Sequence, residues 1–150
     1  LIVLALLSPL AGAGCPSKAV QHEPGDAGMS DEQLQREKIL SDALQGLQCP
    51  AGTRKVGDEP PAGQEVWCEK GEGVREGPYR AWHKDGGKSV VGQYAEGQRD
   101  GLWAEWYENG QRKNEMTYQA GKPNGRFTEW DDRGDVTSKG VYEKGRLKAR

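Results

Sequence analysis

Residues 99–122 read RDGLWAEWYENGQRKNEMTYQAGK, and the stretches on either side repeat that design. The preceding 24 residues, 75–98, are REGPYRAWHKDGGKSVVGQYAEGQ; the following 24, 123–146, are PNGRFTEWDDRGDVTSKGVYEKGR. The three units abut without a gap, and six columns match throughout. Gly77, Gly101 and Gly125 open the units, followed by Tyr79, Trp103 and Phe127, then Trp82, Trp106 and Trp130. Gly86, Gly110 and Gly134 come next, then Tyr94, Tyr118 and Tyr142, and finally Gly97, Gly121 and Gly145. Internal repetition at such a period marks a repeat architecture. The glycines leave strand-length stretches between them. Asp85-Gly86 and Asn109-Gly110 are signals for two-residue hairpin turns, and Arg133-Gly134 is a weaker one. Each unit reads as a β-hairpin, and the array as a mainly β, antiparallel meander of about six strands.

The turn sets a register. With Asn109 and Gly110 as the loop, Glu108 pairs with Gln111, Trp103 lies opposite Met116, and Gly101 lies opposite Tyr118. The same count sets Tyr79 opposite Gly92 and Phe127 opposite Gly140, where a large ring covers bare strand backbone. Side chains alternate between faces along a strand. One face is therefore expected to carry Tyr79, Tyr94, Trp103, Tyr118, Phe127 and Tyr142. The other carries a ladder of Trp82, Trp106 and Trp130. A bulge near the turns would slip this assignment.

Outside the array the composition changes. The chain has 150 residues, 34% hydrophobic, 22 of them Gly, with a mean hydropathy of −0.90. This is too little apolar material for a helical bundle, a parallel α/β core or a polytopic membrane protein. The net charge of −2 carries no nucleic-acid signature. Residues 1–74 hold 6 basic against 11 acidic side chains, and residues 75–150 hold 15 against 12. All 11 aromatic residues lie between Trp67 and Tyr142, which puts the folded part mainly in the C-terminal half.

The chain begins LIVLALLSPLAGAGC. An apolar run followed by small residues has the form of a secretory signal, and it is too short to span a bilayer. Ending at Cys15, segment 1–14 resembles a bacterial lipoprotein signal. That resemblance implies cleavage before Cys15, a diacylglycerol on its thiol, and a membrane-tethered protein of the cell envelope, on the outer membrane rather than the inner. Gly12 departs from the Leu usual three residues before the cysteine. The competing reading is an ordinary signal peptide cut near Ala13. Residues 15–29 read as a flexible tether, because Pro, Gly, Ser and charge mix there without an apolar period. A short helix is expected within 30–48, with Ser30 and Gln33 as a capping box and Leu40, Ala43, Leu44 and Leu47 on one face. It serves either as a spacer docked on the domain or as a partner-binding helix. Residues 49–74 form an N-terminal cap, with GQEVWCE as a strand in which Trp67 plays the part of Tyr94. Residues 147–150 are a tail. Cys49 and Cys68 form an even pair in an exported chain, so a disulfide worth about 3 kcal/mol is expected; were the chain not exported, both would be reduced thiols.

The unit G-x-aromatic-x-x-W-x-x-x-G followed by Y-x-x-G, strongest in GLWAEWYENGQ from Gly101 to Gln111, resembles the MORN repeat, and in particular its bacterial antitoxin-like variant. The resemblance covers residues 75–146. It departs at Pro78 and at Asp131-Asp132-Arg133. It implies a hairpin-repeat interaction module without catalytic residues, and for some members neutralisation of a toxin.

Chemistry-bearing motifs are otherwise sparse. The sequence contains no G-x-S-x-G, no phosphate loop, no H-E-x-x-H and no Cys-x-x-Cys. No enzyme, cofactor or metal site is expected. His22 falls in the tether, and His83 reads as solvent-facing. Asp131, Asp132 and Asp135 read as a solvated acidic turn, since Ca²⁺-loop spacing is absent. The Trp82, Trp106 and Trp130 ladder is the candidate binding surface for a protein or a glycan. It competes with a core reading in which the 30–48 helix or a curled sheet covers the rings. A scattered basic surface including Arg112, Lys113, Lys122, Arg126 and Arg133 is interspersed with acids. Function is thus expected to be a lipid-anchored, non-enzymatic binding module, with an antitoxin-like protein as the alternative.

Overall fold

The computed structural model describes residues 31–42 and 45–148. The expected signal segment, the tether, Cys15, His22 and Ser30 lie outside the described residues. Helix α1 (Asp31–Asp42) comes first. The strands then follow as β1 (Arg54–Asp58), β2 (Glu65–Lys70), β3 (Val74–Trp82), β4 (Lys88–Ala95), β5 (Gln98–Trp106), β6 (Arg112–Gln119), β7 (Lys122–Trp130), β8 (Val136–Glu143) and β9 (Arg146–Leu147). Each strand pairs antiparallel with its chain neighbours, giving one nine-stranded meander in the order β1 to β9. The three 24-residue units supply β3 to β8. The segment before them adds β1 and β2.

The strand register matches the sequence reading. Tyr79 lies opposite Gly92, Gly101 opposite Tyr118, Trp103 opposite Met116, and Phe127 opposite Gly140. The turn itself differs. At the tip of β5–β6 the Gly110 N–H donates to the Tyr107 carbonyl at 2.9 Å, and the Tyr107 N–H donates to the Gln111 carbonyl at 2.9 Å. The loop is three residues, Glu108 to Gly110, and only its glycine is left-handed, at φ 82°. This is a turn closed by a glycine bulge rather than a two-residue loop. Asn109 is used through its side chain, whose Oδ1 accepts the Gln111 N–H at 3.0 Å. The extra loop residue shifts the register by one. A second irregularity between Glu105 and Trp106 shifts it back. The two displacements cancel, so Trp103 and Met116 still face each other.

The two-residue turns lie one hairpin further on. Glu96-Gly97, Ala120-Gly121 and Lys144-Gly145 have both residues left-handed, the first of each pair at φ 49°, 47° and 50°. Two left-handed residues match the twist of the flanking strands. Each of these turns is tied back to the first residue of its own unit. Gly97, Gly121 and Gly145 N–H groups donate to the carbonyls of Arg75, Arg99 and Pro123 at 2.9, 2.9 and 2.8 Å.

The sheet has two dissimilar faces. On one, Trp103 is 2% exposed. Its ring stacks on Tyr79 at 5.6 Å and meets Tyr94 and Tyr118 edge-on at 5.0 and 6.4 Å. On the other, Val91, Ala104 and Trp106 form a buried cluster with Leu40 of α1, and Leu102 packs against it. The helix that the sequence places within 30–48 is therefore docked on the sheet over its described part. Leu47 is half-buried in the segment that follows. Cys49 and Cys68 are joined, 5.4 Å apart at Cα, and fasten that segment to β2.

Candidate interaction site

The ring face closes on itself. Arginines at the head of the first two units lie over its rings. Arg75 sits 4.7 Å from Trp67 and 5.3 Å from both Tyr79 and Tyr94. Arg99 sits 4.3 Å from Trp103 and 5.4 Å from Tyr118. Each guanidinium also donates to a tyrosine hydroxyl, Arg75 to Tyr94 at 3.1 Å and Arg99 to Tyr118 at 3.4 Å. A planar, weakly hydrated cation suits an aromatic face. Sequence reasoning passed over these two arginines, although both occupy the first column of their unit. Proline at position 123 interrupts that column. Tyr79 is buried enough that its phenol is pushed up to about 12, and its hydrogen bond to Glu65 at 2.9 Å adds to the shift.

The α1 face holds the tryptophan ladder, as the alternation requires, but the three rings have different fates. Trp106 is core: it is 6% exposed, under Leu40, with the Lys88 ammonium 5.4 Å from its ring. Trp82 and Trp130 are half-buried. A continuous exposed aromatic stripe therefore does not form, because the helix occupies its middle. The residue after each of the first two tryptophans stitches its hairpin to the next. Tyr107 donates its hydroxyl to the Trp130 carbonyl at 3.0 Å, and His83 Nε2 lies 2.9 Å from the Trp106 carbonyl. His83 is thus half-buried and partnered rather than solvent-facing, since its ring reaches along the sheet to the neighbouring hairpin.

Between the second and third rings the face opens into a groove with a volume of about 370 Å³, lined by Trp106, Gly110, Gln111, Arg112, Trp130 and Gly134. Arg112 projects from β6 at the helix edge. Its guanidinium donates to both Glu37 carboxylate oxygens, at 2.7 and 2.8 Å, and also to Glu115. Arg36 closes the same network on Glu115 at 2.7 Å. Glu115 is 4% exposed, so both cations serve to keep its charge paired. Elsewhere on this face Arg80 is buried, which lowers its pKa, and its Nε has no hydrogen-bond partner.

The six repeat glycines Gly77, Gly86, Gly101, Gly110, Gly125 and Gly134 all have positive φ, from 70° to 125°. Gly77 has a second constraint, since a Cβ there would stand 2.7 Å from Pro50, next to the disulfide. In the third turn, Asp131 Oδ1 accepts the Arg133 and Asp135 N–H groups, both at 3.0 Å. These bonds, that to Asp135 foremost, hold its carboxyl below the usual range. The acidic turn is thereby knitted by its own backbone. Among the described residues no cluster of His, Cys, Asp and Glu is arranged to hold a metal, and no helix is long and apolar enough to cross a membrane.

No protein-family model matches this sequence, and no curated protein matches it. Among solved structures, the chain is similar to part of one described as the crystal structure of accessory secretory protein 1, 2 and 3 in Streptococcus pneumoniae. The identity is 11% and the TM-score 0.38, over 68% of this chain and 19% of that one. The chain spans about a fifth of that neighbour's length, and a likeness at this level carries no argument.

Proposed function

We propose that this chain is a non-enzymatic, lipid-anchored protein of the bacterial cell envelope, whose MORN-like repeat module binds a protein or glycan partner on the α1 face. The observation that carries the binding reading is the groove between Trp106 and Trp130. It sets an aromatic ring, an amide (Gln111) and a guanidinium (Arg112) around a concavity on a rigid sheet. Concave sites with apolar walls and a few convergent polar groups are where ligands bind. The Cys49–Cys68 pairing supports an oxidising compartment, and the lipoprotein-like end at Cys15 supports the anchor.

Two measurements test this reading. The first is intact mass and N-terminal peptide mapping of the protein from its native membrane fraction. A diacylated Cys15 at the new terminus is expected; an unmodified, uncleaved product defeats the envelope reading and favours an antitoxin-like role in the cytoplasm. The second is a photo-cross-linking residue at Gln111, an exposed position on the groove rim. A discrete covalent adduct that disappears with Trp130→Ala, in protein whose near-ultraviolet dichroism is unchanged, is expected. The same adducts with and without Trp130 would defeat the groove as the binding site.

A further inference from the structure

Arg80 is a buried cation without a hydrogen-bond partner. It stands on β3 between Val66 on β2 and Val91 on β4, and residues directly opposed across strands share a face. Its side chain therefore lies on the α1 face, next to the cluster that Leu40 makes with Val91. Both valines are buried, and Arg80 is 5% exposed. Two other charged side chains are buried among the described residues, Glu69 and Glu115, and both are paired. Glu115 is held by Arg36 and Arg112. Glu69 accepts hydrogen bonds from Arg54 at 2.9 Å and from the Gly73 N–H at 3.0 Å. Among the described residues none accepts a hydrogen bond from Arg80.

Of the three guanidinium nitrogens, only the Nε is sealed from solvent. The two terminal nitrogens, equally without acceptors, therefore open to the surface. The carboxylate whose charge acts on the group is Glu59, in the loop after β1. That carboxylate is exposed and bonds the Lys55 ammonium at 3.2 Å instead. A buried charge left unpaired is far costlier than one that is paired, so the position calls for an acceptor. Its shape says which. The Nε–H and one terminal N–H form a planar fork that matches two oxygens of a single anion. One positive charge, with Glu59 already in its field, is balanced by one negative charge and no more.

We infer that Arg80 is a binding site for one carboxylate, which reaches it from the surface and takes the Nε–H and a terminal N–H together. The carboxylate belongs to a free organic acid or to an acidic side chain of a partner; the chemistry of recognition is the same. A phosphate dianion fits less well, because its second charge would face Glu59 unbalanced. The site stands on β3, whereas the groove is built from β5 to β7 and their turns. It goes beyond the groove reading, and its failure would leave that reading untouched.

The test titrates the full, nitrogen-15-labelled chain, disulfide intact, with sodium acetate replacing chloride at constant ionic strength. The sealed Nε–H is shielded from water and gives its own nitrogen–proton cross-peak, assigned by its absence from Arg80→Met and Arg80→Lys. Saturable movement of that peak is expected, with the Nε–H of exposed Arg146 unmoved. Above the dissociation constant, Tm should rise by about 5 °C for each tenfold in acetate. That rise should vanish in Arg80→Met, and Arg80→Lys, which keeps the charge but not the fork, should weaken acetate about tenfold. A capped Gly-Glu-Gly tripeptide separates the two sources. Movement of the same peak by the tripeptide assigns the site to acidic side chains, and movement by acetate alone assigns it to free acids; both support the inference. Should Arg80→Met unfold, the titration of the unaltered protein still decides. Four results would overturn the inference. The first is an Arg80 peak indifferent to acetate and the tripeptide. The second is equal movement at Arg146. The third is movement with inorganic phosphate only. The fourth is a peak displaced by Glu59→Gln without any added anion, which would show that Glu59 already fills the site.

Discussion

Gly92→Ala is the sharpest probe of how the ring face is built. A Cβ on Gly92 would stand 2.6 Å from Cε3 of Trp103, and closer still to Cδ2 and Cε2. The backbone there needs no special φ, so any cost is steric. The indole cannot swing aside cheaply. Its N–H donates to the Gln93 carbonyl at 3.1 Å, worth about 1 kcal/mol. Its contacts with Tyr79 and Tyr94 contribute about 0.5–1.5 kcal/mol each. Adding about 1 kcal/mol of residual overpacking strain, the substitution should cost about 3–5 kcal/mol, which lowers Tm by about 10–15 °C. Urea denaturation of the oxidised protein, followed by tryptophan fluorescence, reads this as a lower midpoint at constant m. Gly101→Ala is the control. Its Cβ meets nothing within 4 Å, but its φ is 70°, so it should cost about 1–2 kcal/mol from conformation alone. In a Trp103→Leu background, Gly92→Ala should cost less than about 1 kcal/mol, because the obstructing ring is gone. Equal costs in the two backgrounds, or a cost below about 1 kcal/mol with Trp103 present, would refute the reasoning.

Reduction of Cys49–Cys68, or Cys49→Ser, should lower stability by about 3 kcal/mol by releasing a loop whose ends are 19 residues apart; thermal melts with and without a phosphine reductant measure it. Ala120 adopts φ 47° in a two-residue turn, so Ala120→Asn should stabilise by about 0.5–1 kcal/mol, read as a raised denaturation midpoint; a loss of stability would contradict the turn assignment. Tyr79 has a folded pKa of about 12 against an ordinary value of 10.0. Its neutral form is favoured by folding, so this contribution is whole below pH 10 and is lost as pH rises towards and through 12. Tyrosinate absorbance should show a late-titrating phenol, and Glu65→Gln should bring its midpoint down.

The fold was legible because the repeat compares the chain with itself. Twenty-four-residue spacing of glycine and aromatic columns needs a structure that recurs, and alternation along each strand parts Trp103 from Trp106 whatever the turn. The turn was less legible. Asn-Gly serves both a two-residue loop and a three-residue loop with a glycine bulge, and the difference rests on whether Asn109 itself goes left-handed. The two-residue turns carry Glu96, Ala120 and Lys144, residues with no turn preference, held there by pairing on both sides. The candidate site was legible in its tryptophans alone. Arg112 gains its place through Glu37, 75 residues away, and no local pattern encodes that contact.

What the sequence determined by itself is the period, the strand order and the parting of aromatics between two faces, because these follow from local backbone chemistry repeated along the chain. Only the tertiary structure decided which tryptophan is core and which borders a groove. The three rings occupy identical places in their units. They differ in what lies across from them among the described residues: Leu40 over Trp106, and a groove beside Trp130. A residue's burial is set by its neighbours in space, and for this ladder the deciding neighbour is a helix that lies outside the repeat.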